Sequence, residues 1–267
     1  MRDPFSSYRA VAPGFNRVSA AGVIRHALTT FSRFCLAACL LAALALSIPT
    51  TVSGQQFVVD DVGIVDYRAC QIEAWHGEQS TWILPACQPV RNLELTVGLG
   101  RLVTENETWD PEYVVQGKYL LRPDRADGVG VSLVVGAGIS PIRQPGGRRV
   151  TDLFAYVPAT MSLAGDRLLI HPNLGWLLER ERGEEEGGVR HILTWGMRGD
   201  VALLERLEAI GELYGEGSEG LGWQTGLRVH LVPDRLLVDL SYGNHFDVDD
   251  PGTGFTVGFA WTPPAFN

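Results

Sequence analysis

The chain has 267 residues, 45% hydrophobic and 20% charged, a balance that excludes disorder as the main state. Its 22 Lys and Arg face 31 Asp and Glu, a net charge of −9, so no basic surface can track a phosphate backbone and nucleic acid is excluded as a partner. Apart from one N-terminal run, no window approaches the roughly 18 to 20 apolar residues of a spanning helix.

That run, Phe34 to Ile48, is free of charge, is preceded by Arg9, Arg17, Arg25 and Arg33, and is followed by the small residues Ser53 and Gly54. The layout is that of a secretory signal peptide over 1–54, with a mature domain over 55–267. An uncleaved anchor helix is the alternative. Lipid attachment at Cys39 is a poorer one, because most of the apolar run follows that cysteine instead of preceding it. Removing 1–54 takes away five Arg and one Asp, which moves the net charge from −9 to −13. Cys70 and Cys87 are then the remaining cysteines, and in an oxidising compartment they predict a disulfide. Closing a loop of about 18 residues contributes roughly 3 kcal/mol by the chain-entropy argument.

Beyond Gln55 the sequence alternates with period two in runs bounded by Gly, Pro, Asp or Asn, the signature of antiparallel strands and hairpins. A first strand is expected near Gln71 to His76. Leu93, Leu95, Val97 and Leu99 then oppose Glu94, Thr96 and Gly98. Val115, Gly117, Tyr119 and Leu121 oppose Gln116 and Lys118, and Val129 to Ala137 repeats the pattern. Two noisier runs follow, Ala155 to Leu163 and Leu168 to Leu178, in which Pro158 and Pro172 suggest an edge or a bulge. Strands are also expected over Arg190 to Arg198 and Leu204 to Tyr214. The second has helix-forming residues, but strand geometry turns Leu207 and Leu213 outward and Glu208 and Glu212 inward. Three clean runs end the chain: Trp223 to Leu231, Leu236 to Tyr242 and Phe255 to Trp261. The connections Thr104 to Pro111, Arg143 to Arg149 and Glu179 to Gly188 are polar, as surface loops are.

Ten to twelve such strands behind an export signal predict an all-β, antiparallel up-and-down transmembrane β-barrel in the outer membrane of a Gram-negative bacterium. Trp75, Trp82, Trp109, Tyr119, Tyr156, Trp176, Trp195, Trp223, Tyr242 and Trp261 sit near expected strand ends, where an interfacial girdle would place them. The competing reading is an exported soluble β-sandwich, or an outer-membrane protein with a structural role and no transport. Expected partners of a barrel are membrane lipid and lipopolysaccharide, the barrel-assembly machinery and a small-molecule solute. The polar faces collect Glu73, Glu94, Lys118, His171, Glu208, Glu212, Arg228 and Asp239 as lumen or binding candidates. Their mixed signs suit an internal salt-bridge network or the lining of a narrow path.

The segments Arg206 to Glu216, Gln224 to Val229, Val232 to Leu236, Asp239 to Gly243 and Gly254 to Trp261, with Asp60-Asp61-Val62-Gly63 and Cys70 to Trp75 near the start, resemble outer-membrane barrels of the phenol-degradation meta-pathway transporter kind. The resemblance implies a barrel passing aromatic or other small hydrophobic compounds, and it carries no catalytic residues. One departure is the tail Thr262 to Asn267 beyond Trp261, since outer-membrane barrels usually end on an aromatic residue. No nucleophile elbow, phosphate loop or metal box is present, and no cofactor or metal is expected. The remaining enzymatic alternative is a lipid-modifying barrel using Ser162 and His171, which lacks a third group to orient the histidine.

Overall fold

A computed structural model describes residues 56–103, 109–140, 150–180, 188–217, 220–246 and 252–263. The expected signal segment, most of the three polar connections and the last four residues lie outside them.

Twelve antiparallel strands are formed. The first six are β1 (Cys70–Gly77), β2 (Ser80–Val90), β3 (Leu93–Val103), β4 (Trp109–Arg122), β5 (Val129–Ile139) and β6 (Val150–Leu163). The rest are β7 (Leu168–Arg180), β8 (Val189–Leu204), β9 (Leu207–Glu216), β10 (Gly222–Val232), β11 (Leu236–His245) and β12 (Gly254–Trp261). Each pairs with its sequence neighbours, and β1 closes on β12 through Ile72↔Trp261 to Gly77↔Thr256. Closure leaves no edge, the condition under which strands satisfy their backbone groups in lipid.

The outer face is apolar along the whole sheet. Leu95, Val97 and Leu99 on β3, or Val257, Phe259 and Trp261 on β12, are each more than two-fifths exposed, while the alternate residues Glu94, Thr96 and Thr256 are buried inside. A sandwich would bury that apolar face against a second sheet, and here no second sheet exists among the described residues.

Two ends can be told apart. The hairpins β2–β3, β6–β7, β8–β9 and β10–β11 are tight, and left-handed backbone at Asn92 (φ 65°) and Asp234 (φ 58°) turns two of them. The β4–β5 connection closes at the same end, while the longer connections β5–β6, β7–β8 and β11–β12 lie at the other end together with β1–β2, β3–β4 and β9–β10. The start of β1 and the end of β12 lie at the tight-hairpin end, and in outer-membrane barrels the short turns face the periplasm.

Four expectations need correction. The strand placed over Leu204 to Tyr214 is parts of two, because Glu205 and Arg206 make a turn between β8 and β9. Strand β2 was not anticipated, since Trp82, Leu84 and Ala86 put apolar groups on its inner face and erase the alternation. Pro158 and Pro172 mark no edge: both lie within closed ladders, opposite Asn173 and Met197, and the β6–β7 pairing is interrupted only over Ala159 and Thr160. Trp75, Trp82 and Tyr156 leave the girdle, because their strand parity turns them into the lumen, where all three line one cavity. Trp109, Trp176, Trp195, Tyr242 and Phe255 do crown the long-loop end of the outer face.

Candidate functional site in the lumen

The barrel is not empty. Residues 56–69, ahead of β1, enter at the short-turn end and cross the interior, meeting successive strands around the wall. The entry is fixed by reciprocal bonds between the Ala69 and Gln88 backbones, Gln88 N–H donating to Ala69 and Arg68 N–H to Gln88, both at 3.0 Å. Beside them the Cys70–Cys87 disulfide joins β1 to β2.

Further along, Glu94 on β3 accepts the Val65 N–H at 2.8 Å. Ser132 on β5 donates to the Val62 carbonyl at 2.8 Å, and Thr160 on β6 accepts the Val62 N–H at 3.0 Å. Asp60 receives Lys118 from β4 and the Tyr156 hydroxyl from β6, both at 3.0 Å. With its amide oriented to satisfy both groups, Asn173 on β7 accepts the Asp60 N–H and donates to the Asp60 carbonyl. On β8 and β9, Arg198 donates to the Val59 carbonyl at 2.7 Å and Glu212 accepts the Val58 and Val59 N–H groups at 2.8 and 3.0 Å. Gln224 on β10 donates to the Gln56 carbonyl, and the Phe57 ring lies against the guanidinium groups of Arg198 and Arg228. A backbone without secondary structure of its own must find partners when enclosed, and the inner wall supplies them one by one.

The charges behind this segment are paired. Arg228 grips Asp239 through two bonds of 2.8 and 2.9 Å. Arg198 does the same to Asp200 at 2.9 and 3.2 Å and reaches Asp61 at 3.4 Å. Lys118 stands 3.8 Å from Asp61. Enclosure in the barrel would raise the Asp61 carboxyl, but Lys118, Arg198 and His171, with the Gly63 N–H, together hold it well below the usual carboxylate range.

All eight lumen candidates point inward. Glu94, Lys118 and Glu212 hold the N-terminal segment, Arg228 and Asp239 pair with each other, and Glu208 meets His230 at 3.1 Å. Glu73 makes one hydrogen bond, from the Gln71 amide at 3.3 Å.

His171 and Ser162 are not brought together: Ser162 donates to Asp166, while His171 Nδ1 sits 2.9 Å from Thr160 Oγ1 and its Nε2 faces Asp200 at 3.4 Å. Thr160 is buried and already accepts the Val62 N–H. The Thr160–His171–Asp200 array thus braces the segment instead of presenting a nucleophile. Among the described residues no group of three His, Cys, Asp or Glu side chains is placed to hold a metal ion.

Sequence reasoning did not single out Arg198, Asp200, Thr160 or the Asp60-Asp61 pair as site residues. Parity was the available signal for the first three, which share the inward face with residues that were chosen. Nothing local signals that Asp60 and Asp61 fold back into the barrel.

Beside the segment remains a cavity of about 480 Å³, lined from Asp234, Arg235 and Thr262 at the short-turn end to Trp75 and Trp82 near the long-loop end. Its β1–β4 wall carries an apolar patch, Trp82, Leu84, Ala86 and Val114, set among the polar Glu73, Glu94, Gln116 and Lys118. Trp82 lies flat against Gly100, where an added Cβ would come within 2.3 to 2.5 Å of the indole, so the glycine is what lets the ring lie back from the cavity.

A family described as uncharacterised conserved protein UCP029691 matches residues 40–260, most of the chain. The chain belongs to that family. No curated protein matches it. Among solved structures, the KdgM porin is similar at 10% identity over 72% of this chain and 98% of that one, with TM-scores of 0.51 alone and 0.53 in complex with disordered oligogalacturonate. The COG4313 outer membrane channel from Pseudomonas putida F1 is similar at 9% identity over 79% of this chain and 98% of that one, with a TM-score of 0.49. The KdgM likeness shows a porin-like barrel fold, in agreement with the twelve closed strands.

Proposed function

We propose that this protein is an outer-membrane channel for small solutes, with its own N-terminal segment seated in the lumen as a plug. The reading rests on one observation: the cavity runs beside residues 56–64, from the short-turn end to the indoles of Trp75 and Trp82, so the plug leaves part of the bore unfilled. The apolar patch on the β1–β4 wall suits solutes with an aromatic or hydrophobic body, the class implied by the resemblance to phenol-degradation meta-pathway transporters. Passage needs no covalent chemistry, and we assign no enzymatic role. The eight inward charged residues divide between holding the plug and lining the path.

The dense anchoring of the plug favours a second reading, a closed barrel with a structural role. Planar-bilayer recording separates the two, comparing the mature chain with a variant lacking residues 56–65. A channel predicts small currents for the intact chain, larger ones for the shortened chain, and liposome swelling with small aromatic solutes. No current from either, with the heat-modifiable gel shift of a folded barrel retained, would favour the structural role.

A further inference from the structure

The geometry points to a binding site in the lumen cavity for an organic cation, an ammonium group carried on an aromatic or aliphatic body. This deepens the channel reading and rests on it.

The cations lining the upper and central cavity are already matched. Lys118 is bound to Asp60, Arg198 to Asp200 and Asp61, and Arg228 to Asp239. Two carboxylates are not. Glu94 takes a single backbone N–H, from Val65, and Glu73 takes one amide N–H, from Gln71. Among the described residues neither has a Lys, Arg or His nitrogen within 4.0 Å. A carboxylate withdrawn from bulk water without a cation is costly, and an incoming cation would relieve it.

Glu73 also has the right neighbours. Directly across from it on β2 is Leu84, and one inward position further along the same two strands stand Trp75 and Trp82, their ring centroids 6.2 Å apart. With Gly98 and Gly100 behind them, Leu84 and Trp82 form a flat apolar floor. A carboxylate beside indole faces is the chemistry that recognises an ammonium group on an apolar body, through charge pairing, cation–π attraction and apolar burial. A self-sufficient lumen would have paired these two carboxylates internally, as it pairs Asp60 with Lys118 and Asp61 with Arg198.

The test uses the full mature chain folded in detergent and three probes that share one ring and differ in charge: 2-phenylethylamine, 2-phenylethanol and phenylacetate. Binding is read by tryptophan emission and by calorimetry. The expected result is a roughly tenfold preference for the amine over the alcohol and no measurable binding of phenylacetate. Glu73→Gln, which touches no plug residue, should remove the preference while leaving the alcohol's affinity unchanged. Equal binding of amine and alcohol, or tighter binding of phenylacetate, overturns the proposal. The wild-type series decides the matter even if the variant fails to fold. Currents recorded on the same preparation keep the two readings apart: charge-selective binding without conductance defeats the channel alone, and conductance without charge preference defeats the cation site alone.

Discussion

Glu212 on β9 accepts two consecutive backbone N–H groups of the plug, Val58 at 2.8 Å and Val59 at 3.0 Å. Its wall neighbour Arg198 takes the Val59 carbonyl at 2.7 Å. Strands β8 and β9 thus treat one residue of the plug as a neighbouring strand would, using side chains in place of backbone.

Glu212→Ala should loosen the plug. A hydrogen bond contributes about 0.5–1.5 kcal/mol net, and two are lost. Water and the freed N–H groups recover part of that, so the open fraction in bilayer recordings should rise on the order of tenfold or more. An unaltered closed-state dwell time would show that the plug is held elsewhere.

Arg198→Met tests the charge network behind it. Asp200, 4% exposed, would keep only Arg228 at 4.0 Å and His171 at 3.4 Å. Removing one partner of a buried pair costs about 3–5 kcal/mol, against a typical domain stability of 5–15. The expected outcome is a clear loss of the fast-migrating unboiled band on gels, with Arg198→Lys intermediate because lysine lacks the two-pronged geometry. A Met variant that folds like wild type would mean that Asp200 is adequately held by His171.

How much of this was legible in the sequence follows from which forces are local. Inward and outward parity is local, so Glu212, Lys118, Arg228 and Asp239 were assigned to the correct face from alternation alone. Eleven strands followed from the same signal, while closure into a barrel was read from the export signal, the number of strands and the aromatic residues near strand ends, since a sandwich alternates too. Strand β2 escaped because Trp82, Leu84 and Ala86 face a lumen cavity, where apolar groups defeat the alternation rule, and Pro85 and Pro89 suggest a loop. The plug escaped for a different reason. Phe57 to Val65 is a short apolar stretch interrupted by Asp60 and Asp61, and its hydrogen-bond partners on the wall lie 29 to 154 residues away. No period records a contact of that range.

Gly100→Ala probes the floor of the cavity. The new methyl carbon would stand 2.3 to 2.5 Å from Trp82, which must lift into the open space. Overpacking of this kind costs about 1–3 kcal/mol. A shift in tryptophan emission should accompany a drop in thermal stability and a smaller single-channel current. If stability and current both match wild type, Trp82 is not pressed against the wall.

Asp61 makes the docking of the plug resistant to acid. The ordinary value of its carboxyl is 3.8, and Lys118, Arg198 and His171 lower it further in the docked state against the opposing effect of enclosure. A group whose docked value is depressed contributes fully above its free value and loses that contribution only as pH falls through the lower docked one. Between pH 7 and about 4.5 the Asp61 contribution should therefore stay constant. Asp61→Asn removes the charge at every pH, so its curve should be displaced toward the open state by a constant amount over the same range. Recording open fraction against pH for both chains checks this. A wild-type opening midpoint at about pH 5 to 6, absent in Asp61→Asn, would mean that the Asp61 carboxyl is raised by its enclosure and that Lys118 and Arg198 do not dominate it.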